Sequence, residues 1–232
     1  RPGGGPKVDQ GRRIRSGFGA VLSEEDWGRL VQDGRPRRYR PGDVLMRQGD
    51  AAEHVTVLMT GQVKITRLEP DGEEVLLAVR GAGEVLGEIS VFDGRPRSAT
   101  VEALRPCTTR ILPAPAFRRF IEERGLYRRL IAHVVARLRE GEDRFAELAV
   151  LSAAERLVGM LLKLAELMPA GEAPSFGLTQ QDLARAIGVS RSAVAYELSR
   201  LRSLGVVRTA RRQIVVQDLD RLRALASGDA HR

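Results

Sequence analysis

The chain has 232 residues, 43% of them hydrophobic, and a formal net charge of +8. That length is long for one core, so two domains are expected, with ample apolar material to bury. The longest apolar runs are broken by charge and too short to span a bilayer, and the single cysteine, Cys107, excludes an internal disulfide and a one-chain zinc or iron–sulfur site built from cysteines.

The charge is unevenly placed. Residues 1–19 hold five basic residues and one acid, and they read as a basic flexible tail rich in Gly and Pro, with no apolar stretch of the signal-peptide kind. Residues 20–152 hold twenty-one of each sign, and residues 153–232 hold twelve basic and eight acidic. A neutral body with basic ends suits a polyanion, most often nucleic acid; a merely soluble basic surface would give the same balance. A reducing cytoplasm is the compartment expected from the cysteine usage.

After the tail, "SEEDWGRLV" reads as a short helix from residue 23 to 31, capped by Ser23 with Asp26 three residues on. From Arg37 the apolar period becomes two. Val55, Val57 and Met59 alternate, then Val63 and Ile65 beyond Gly61, then Val75, Leu77 and Val79 beyond an Asp71-Gly72 turn. "SATVEAL" and "CTTRILP" add further strands. Many short strands with regular turns predict an antiparallel roll or sandwich over 20–124.

Beyond Pro115 the period turns helical. A short helix is expected over 116–124 and a long one from about Gly125, within a segment of 125–152. Along it Tyr127, Ile131, Val134, Leu138, Gly141, Phe145 and Leu148 are spaced 4-3-4-3-4-3, a heptad seam that predicts a homodimer through residues 127–148. A long helix packed within its own domain is the competing explanation. Gly141 interrupts the seam at a cost of about 1 kcal/mol relative to Ala, and it marks a place where the helix pair can adjust. Residues 153–168 form another amphipathic helix, and "PAGEAPSFG" reads as a loop.

Within the last domain, 153–232, residues 178–201 have helix-turn-helix grammar. Thr179 caps a first helix with Asp182 three residues on, Leu183 and Ile187 give its apolar face, Ala184 leaves room for a second helix, and Gly188 follows as a left-handed turn. Ser190 caps the second helix, whose inner face is Val194, Leu198 and Leu201. Two short strands then flank a basic tip at Arg211 and Arg212, a wing. A helix of this kind enters the major groove with its first residues on base edges. Arg191 is the candidate for a bidentate guanine contact, with Ser190, Ser192, Tyr196 and Arg200 beside it. Gln180 and Gln181 open the first helix and are candidates for phosphate, as are Arg208, Arg211 and Arg212. Each arginine also has a plain reading as a solvated surface charge.

Roll, seam helix and winged helix-turn-helix, in this order, resemble the cAMP receptor protein/FNR (Crp/Fnr) family of bacterial transcription regulators. "RPGDVLMRQGD" resembles the family's early roll strand, "GEVLGEISVFDGRPRSATV" its phosphate-binding cassette, and residues 178–201 its DNA reader. The resemblance implies an α+β chain with a cyclic-nucleotide-binding-like β-roll, a dimerisation helix and a winged helix-turn-helix. It implies a sequence-specific, allosterically controlled transcription regulator that is not an enzyme, with double-stranded DNA, a second copy of the chain and RNA polymerase as partners and no membrane. The effector it implies is a cyclic nucleotide, cAMP or cGMP, with no obligatory cofactor, metal or catalytic residue.

Residue by residue, the cassette implies that amides at Gly87, the Arg97 guanidinium and the Ser98 hydroxyl hold a phosphate while Glu88 accepts the ribose 2′-hydroxyl. The family's base-reading hydroxyls fall at Gly141 and Glu142, neither of which has one. A ligand-independent regulator with a vestigial pocket is therefore the second expectation. Ser192 and Tyr196 also depart from the residues with which the cAMP receptor protein reads its operator. A nucleotide-processing enzyme would need a metal cluster or a placed base, and the three histidines, His54, His133 and His231, are scattered.

Overall fold

The structure is a computed structural model that describes residues 15–168, 174–210 and 213–227. Two short helices, α1 (Gly17–Val21) and α2 (Glu24–Asp33), lead into the roll. Its strands are β1 (Arg35–Tyr39), β2 (Val44–Met46), β3 (His54–Thr60), β4 (Val63–Leu68), β5 (Glu74–Arg80), β6 (Val85–Leu86), β7 (Thr100–Ala103) and β8 (Cys107–Pro113), with α3 (Glu88–Asp93) between β6 and β7. They form two antiparallel four-stranded sheets, β1-β8-β3-β6 and β2-β7-β4-β5. Tyr39, Leu58, Val63, Leu86, Val101 and Cys107 fill the space between the sheets. The outer face of the first sheet is covered by α1, α2, α4 (Ala114–Glu123) and the start of α5 (Tyr127–Val150), through Phe18, Leu30, Phe117, Ile121 and Leu130. Covered on both faces, β3 buries Val55, Thr56, Val57 and Leu58 completely instead of alternating.

The fold reaches further into the N-terminal segment than the tail boundary at residue 19. Phe18, on α1, is fully buried and packs on the His133 ring at 5.6 Å between centroids. A single apolar residue in a Gly-rich, basic stretch has no periodicity to reveal it. Ser23 caps α2 as expected, its Oγ accepting from the Asp26 amide at 3.0 Å.

The alternation expected in β5 is broken. Leu76 and Val79 are buried while Leu77 is 40% exposed. The cause is a bulge: Ile65 of β4 pairs with Ala78 and Thr66 with Leu76, which leaves Leu77 as the extra, unpaired residue. Leu76 and Val79 thereby turn into the core of the C-terminal domain.

That domain comprises α6 (Ala153–Glu166), β9 (Ser175–Phe176), α7 (Gln180–Ile187), α8 (Arg191–Ser203), β10 (Val207–Ala210), β11 (Gln213–Val216) and α9 (Leu219–Ala226). Its strands order as β10-β11-β9. The segment read as a loop thus supplies a third strand, because Phe176 is drawn into the core. Leu157, Leu161, Leu183, Leu198 and Leu201 form that core.

α5 has 24 residues and runs through Gly141 without interruption, a length of about 36 Å. Leu130 and His133 face the roll. The seam faces outward: Ile131 and Leu138 are 62% exposed and Phe145 is 76% exposed. Val134 is half-buried.

Candidate ligand pocket and DNA-reading face

The cassette is held by backbone before it is completed by side chains. The Arg97 amide donates to Asp50 O and its carbonyl accepts from the Gly49 amide, each at 2.8 Å, which fixes Arg97 against the loop after β2. Its guanidinium donates to Gly87 O at 2.7 Å and to His54 O. Gly87 takes φ +84° at the start of α3, and a Cβ there would lie 2.4 Å from Arg97 Nη1. Glycine is therefore required twice, by the backbone and by the arginine above it. Arg97 is only 4% exposed; burial draws its pKa down and the Glu88 and Asp50 charges raise it, with a net lowering. A guanidinium has five N–H donors, so three remain for a ligand.

Glu88 does not pair with Arg97. Its carboxylate turns to α5, where Oε1 lies 3.4 Å from His133 Nε2 and 3.5 Å from Arg137 Nε. Arg137 Nε donates to His133 Nε2 at 2.9 Å, so that nitrogen acts as an acceptor, and the buried Glu88 Oε1 has no hydrogen-bond donor. Arg137 also donates to Glu84 at 2.8 Å, and Arg80 bridges Glu84 and Glu140 of α5. Burial pushes the Glu84 pKa up, with Arg137 and Arg80 opposing it; for Glu88 burial acts in the same direction, but His133 and Arg137 outweigh it and the pKa is lowered.

Gly87, Glu88 and Arg97 are thus brought together. Ser98 is exposed beside them. Gly141 and Glu142 lie one turn beyond Arg137 on the exposed side of α5, and a Cβ at Gly141 would meet open space. His133, Arg137, Glu84 and His54 did not figure among the sequence-derived candidates. A signal existed for two of them: Leu130, His133, Arg137, Glu140 and Arg144 form a second 3-4-3-4 stripe, one that faces the roll.

In the C-terminal domain the helix-turn-helix grammar is realised. Thr179 and Asp182 form a reciprocal capping box, Gly188 takes φ +65°, and Ser190 Oγ accepts from the Ala193 amide at 3.1 Å. Ser190 is also joined to Ser192 at 2.8 Å. Arg191, Ser192 and Tyr196 are exposed on α8, Tyr196 by 70%. Arg200 is half-buried and paired to Glu197 at 2.8 Å. Gln181 is exposed at the start of α7 and Gln180 half-buried. Both line a cavity of about 440 Å³ with Arg191, Thr209 and Gln213, between α7 and the wing. Arg208 is exposed on the wing strand β10. Arg211 and Arg212 lie outside the described residues.

A sensing roll with a buried acid–arginine cassette, joined by an exposed-seam helix to a winged helix-turn-helix, defines a ligand-controlled DNA-binding regulator. The comparisons with known proteins agree. The cyclic nucleotide-binding domain profile matches residues 36–124 and the Crp-like helix-turn-helix profile residues 155–225. The cyclic AMP receptor protein of Thermus thermophilus is 31% identical over 193 residues, covering 83% of this chain and 88% of its own. The CRP-like cAMP-activated global transcriptional regulator of Mycobacterium tuberculosis is 27% identical over 198 residues, with the same coverage. The solved regulator CLP of Xanthomonas campestris shares the fold, with a TM-score of 0.68 at 23% identity over 84% of this chain and all of that one. The chain belongs to the Crp/Fnr family of transcription regulators: it binds DNA in a sequence-specific manner under the control of a small ligand.

Proposed function

We propose that the effector is a cyclic nucleotide seated between the cassette and α5. The observation that carries this reading is the buried Glu88 Oε1, which lacks a hydrogen-bond donor beside a buried arginine with donors to spare. A ribose 2′-hydroxyl supplies the missing donor, and Arg97 and Ser98 meet the phosphodiester. Two relatives carry cyclic AMP in their names, which makes cAMP the first candidate. Gly141 and Glu142 have no hydroxyl to offer a base, so cGMP stands beside it. Calorimetry with cAMP and cGMP tests the reading; heat with neither overturns it.

A second reading, a vestigial pocket that takes no cyclic nucleotide, draws on the same residues. Arg97 is already bonded to two carbonyls and Glu88 already neighbours two groups of α5. A genomic footprint unchanged by any cyclic nucleotide would favour it.

The working form is a homodimer through residues 127–148, with the 20–124 roll as sensor and 153–232 as DNA-binding domain. The exposed seam of α5 supports this. Two α8 helices then occupy half-sites about 34 Å apart. On α8, Arg191 reads a base, with Ser192 and Tyr196 beside it; Gln180, Gln181 and Arg208 hold phosphate, and Arg211 and Arg212 join them. The chain acts in the cytoplasm, and regulation is of RNA polymerase rather than of a substrate. Among the described residues no helix is long and apolar enough to cross a membrane.

A further inference from the structure

We propose that Arg144 is the positioning residue that seats the DNA-binding domain on the sensor and thereby sets the separation of the two recognition helices. The second half of this statement rests on the dimer reading above; the first half does not.

Arg144 belongs to α5, yet its guanidinium touches the other two parts of the chain at once. It donates to Leu76 O at 2.8 Å, to Leu77 O, and to Ala186 O. The acceptors lie at an edge, a bulge and a helix end, where regular hydrogen bonding runs out. β5 is the edge strand of its sheet and Leu77 is its bulged residue, so Arg144 meets it where the ladder is interrupted and one side has no neighbouring strand. Ala186 is in the last turn of α7, where carbonyls have no intrahelical donor and the helix dipole is negative. A planar cation with five donors in a fixed fork suits three such acceptors; an ammonium cannot span them.

The surrounding contacts converge on the same joint. Arg185 of α7 pairs with Glu73 at 3.1 Å and Glu74 at 3.6 Å, and Lys64 of β4 approaches Asp182 at 3.7 Å. Leu76 and Val79 enter the core that holds Leu183, Ala184 and Ile187. One turn after Arg144, Leu148 reaches the turn after α7, where a Cβ on Gly188 would lie 3.0 Å from it. Leu148 is also a seam residue. A shift of the seam is therefore passed to α7 by two side chains one turn apart, while Arg191, Ser192 and Tyr196 on α8 remain exposed and able to meet DNA.

The test uses the full chain with spin labels on Glu122→Cys of α4 and Ser203→Cys of α8. Cys107 is 2% exposed and stays unlabelled. Labelled chains are diluted with excess unlabelled chain so that only distances within one chain are read. The unsubstituted Arg144 chain should give one narrow distance, and Arg144→Met a broad distribution, with Arg144→Lys in between. An Asp33→Cys/Glu122→Cys pair inside the sensor should stay narrow in all three, which separates loss of the seat from loss of the fold. On a DNA fragment selected by the parent chain, insertion of a base pair between half-sites should weaken binding by the parent and not by Arg144→Met. An unchanged narrow distance in Arg144→Met overturns the seat. A parent chain that sediments as a monomer overturns the spacing claim and the dimer, and leaves the seat standing on the distance measurement.

Discussion

Arg97 lies over Gly87, its Nη1 2.7 Å from the glycine carbonyl and only 2.4 Å from where a Cβ would stand. The only cation buried in the cassette thus depends on a neighbour with no side chain. Arg97→Ala is expected to abolish cyclic-nucleotide binding by calorimetry. Gly87→Ala should do the same by displacing the guanidinium, and should also cost about 1–2 kcal/mol of stability through its left-handed backbone. Retained nucleotide heat in either variant counts against the pocket.

Arg137 is the cation shared by Glu84 and Glu88, both nearly fully buried. Its removal leaves two buried carboxylates short of a counter-charge. Arg137→Ala should lose about 3–5 kcal/mol in urea unfolding, the range for breaking a buried ion pair. Adding Glu84→Gln and Glu88→Gln should recover part of the loss, since neither side chain then carries a charge.

His54 gives the chain a pH dependence of known sign. Burial, with the Arg97 charge second, lowers its pKa below 6.5. The unfolded chain therefore takes up this proton more readily, and stability falls as pH drops through 6.5 towards the folded value. His54→Gln should flatten the stability profile in that window. An equal slope in both proteins would remove His54 from the account.

Base and phosphate contacts should separate by their salt response. Arg191→Ala is expected to relax sequence preference. Arg208→Ala should weaken binding to all sequences and reduce the slope of log K against log salt by about 1. The reverse pattern would exchange their roles.

The seam is open to one substitution. Leu138→Asp places a charge among exposed apolar residues at the middle of α5. It should shift the sedimenting species from dimer to monomer and leave the melting of the roll almost unchanged, because Leu138 does not face the roll.

Much of this protein is set by local rules. The Ser23, Thr179 and Ser190 caps, the left-handed Gly188 and the outward-facing 4-3 seam of α5 each depend on residues close in the chain, and each appears in the structure as read. The cassette residues Gly87, Glu88 and Arg97 also belonged to one short stretch. Other features depend on what a distant segment covers or leaves open. The bulge at Leu77 inverts the β5 pattern, and α7 makes the inverted face useful by burying Leu76. Phe18 and Phe176 sit in segments without periodicity and were claimed by cores they do not flank. Glu88 faces Arg137 rather than Arg97 because α5 returns across the roll after some forty residues of intervening chain. The sequence alone determined the parts, their order and the chemistry each can offer, because those follow from short-range geometry. Which acid meets which base, and how Arg144 joins the parts, was decided only by the tertiary packing, because burial and the meeting of distant groups are properties of the assembled surfaces.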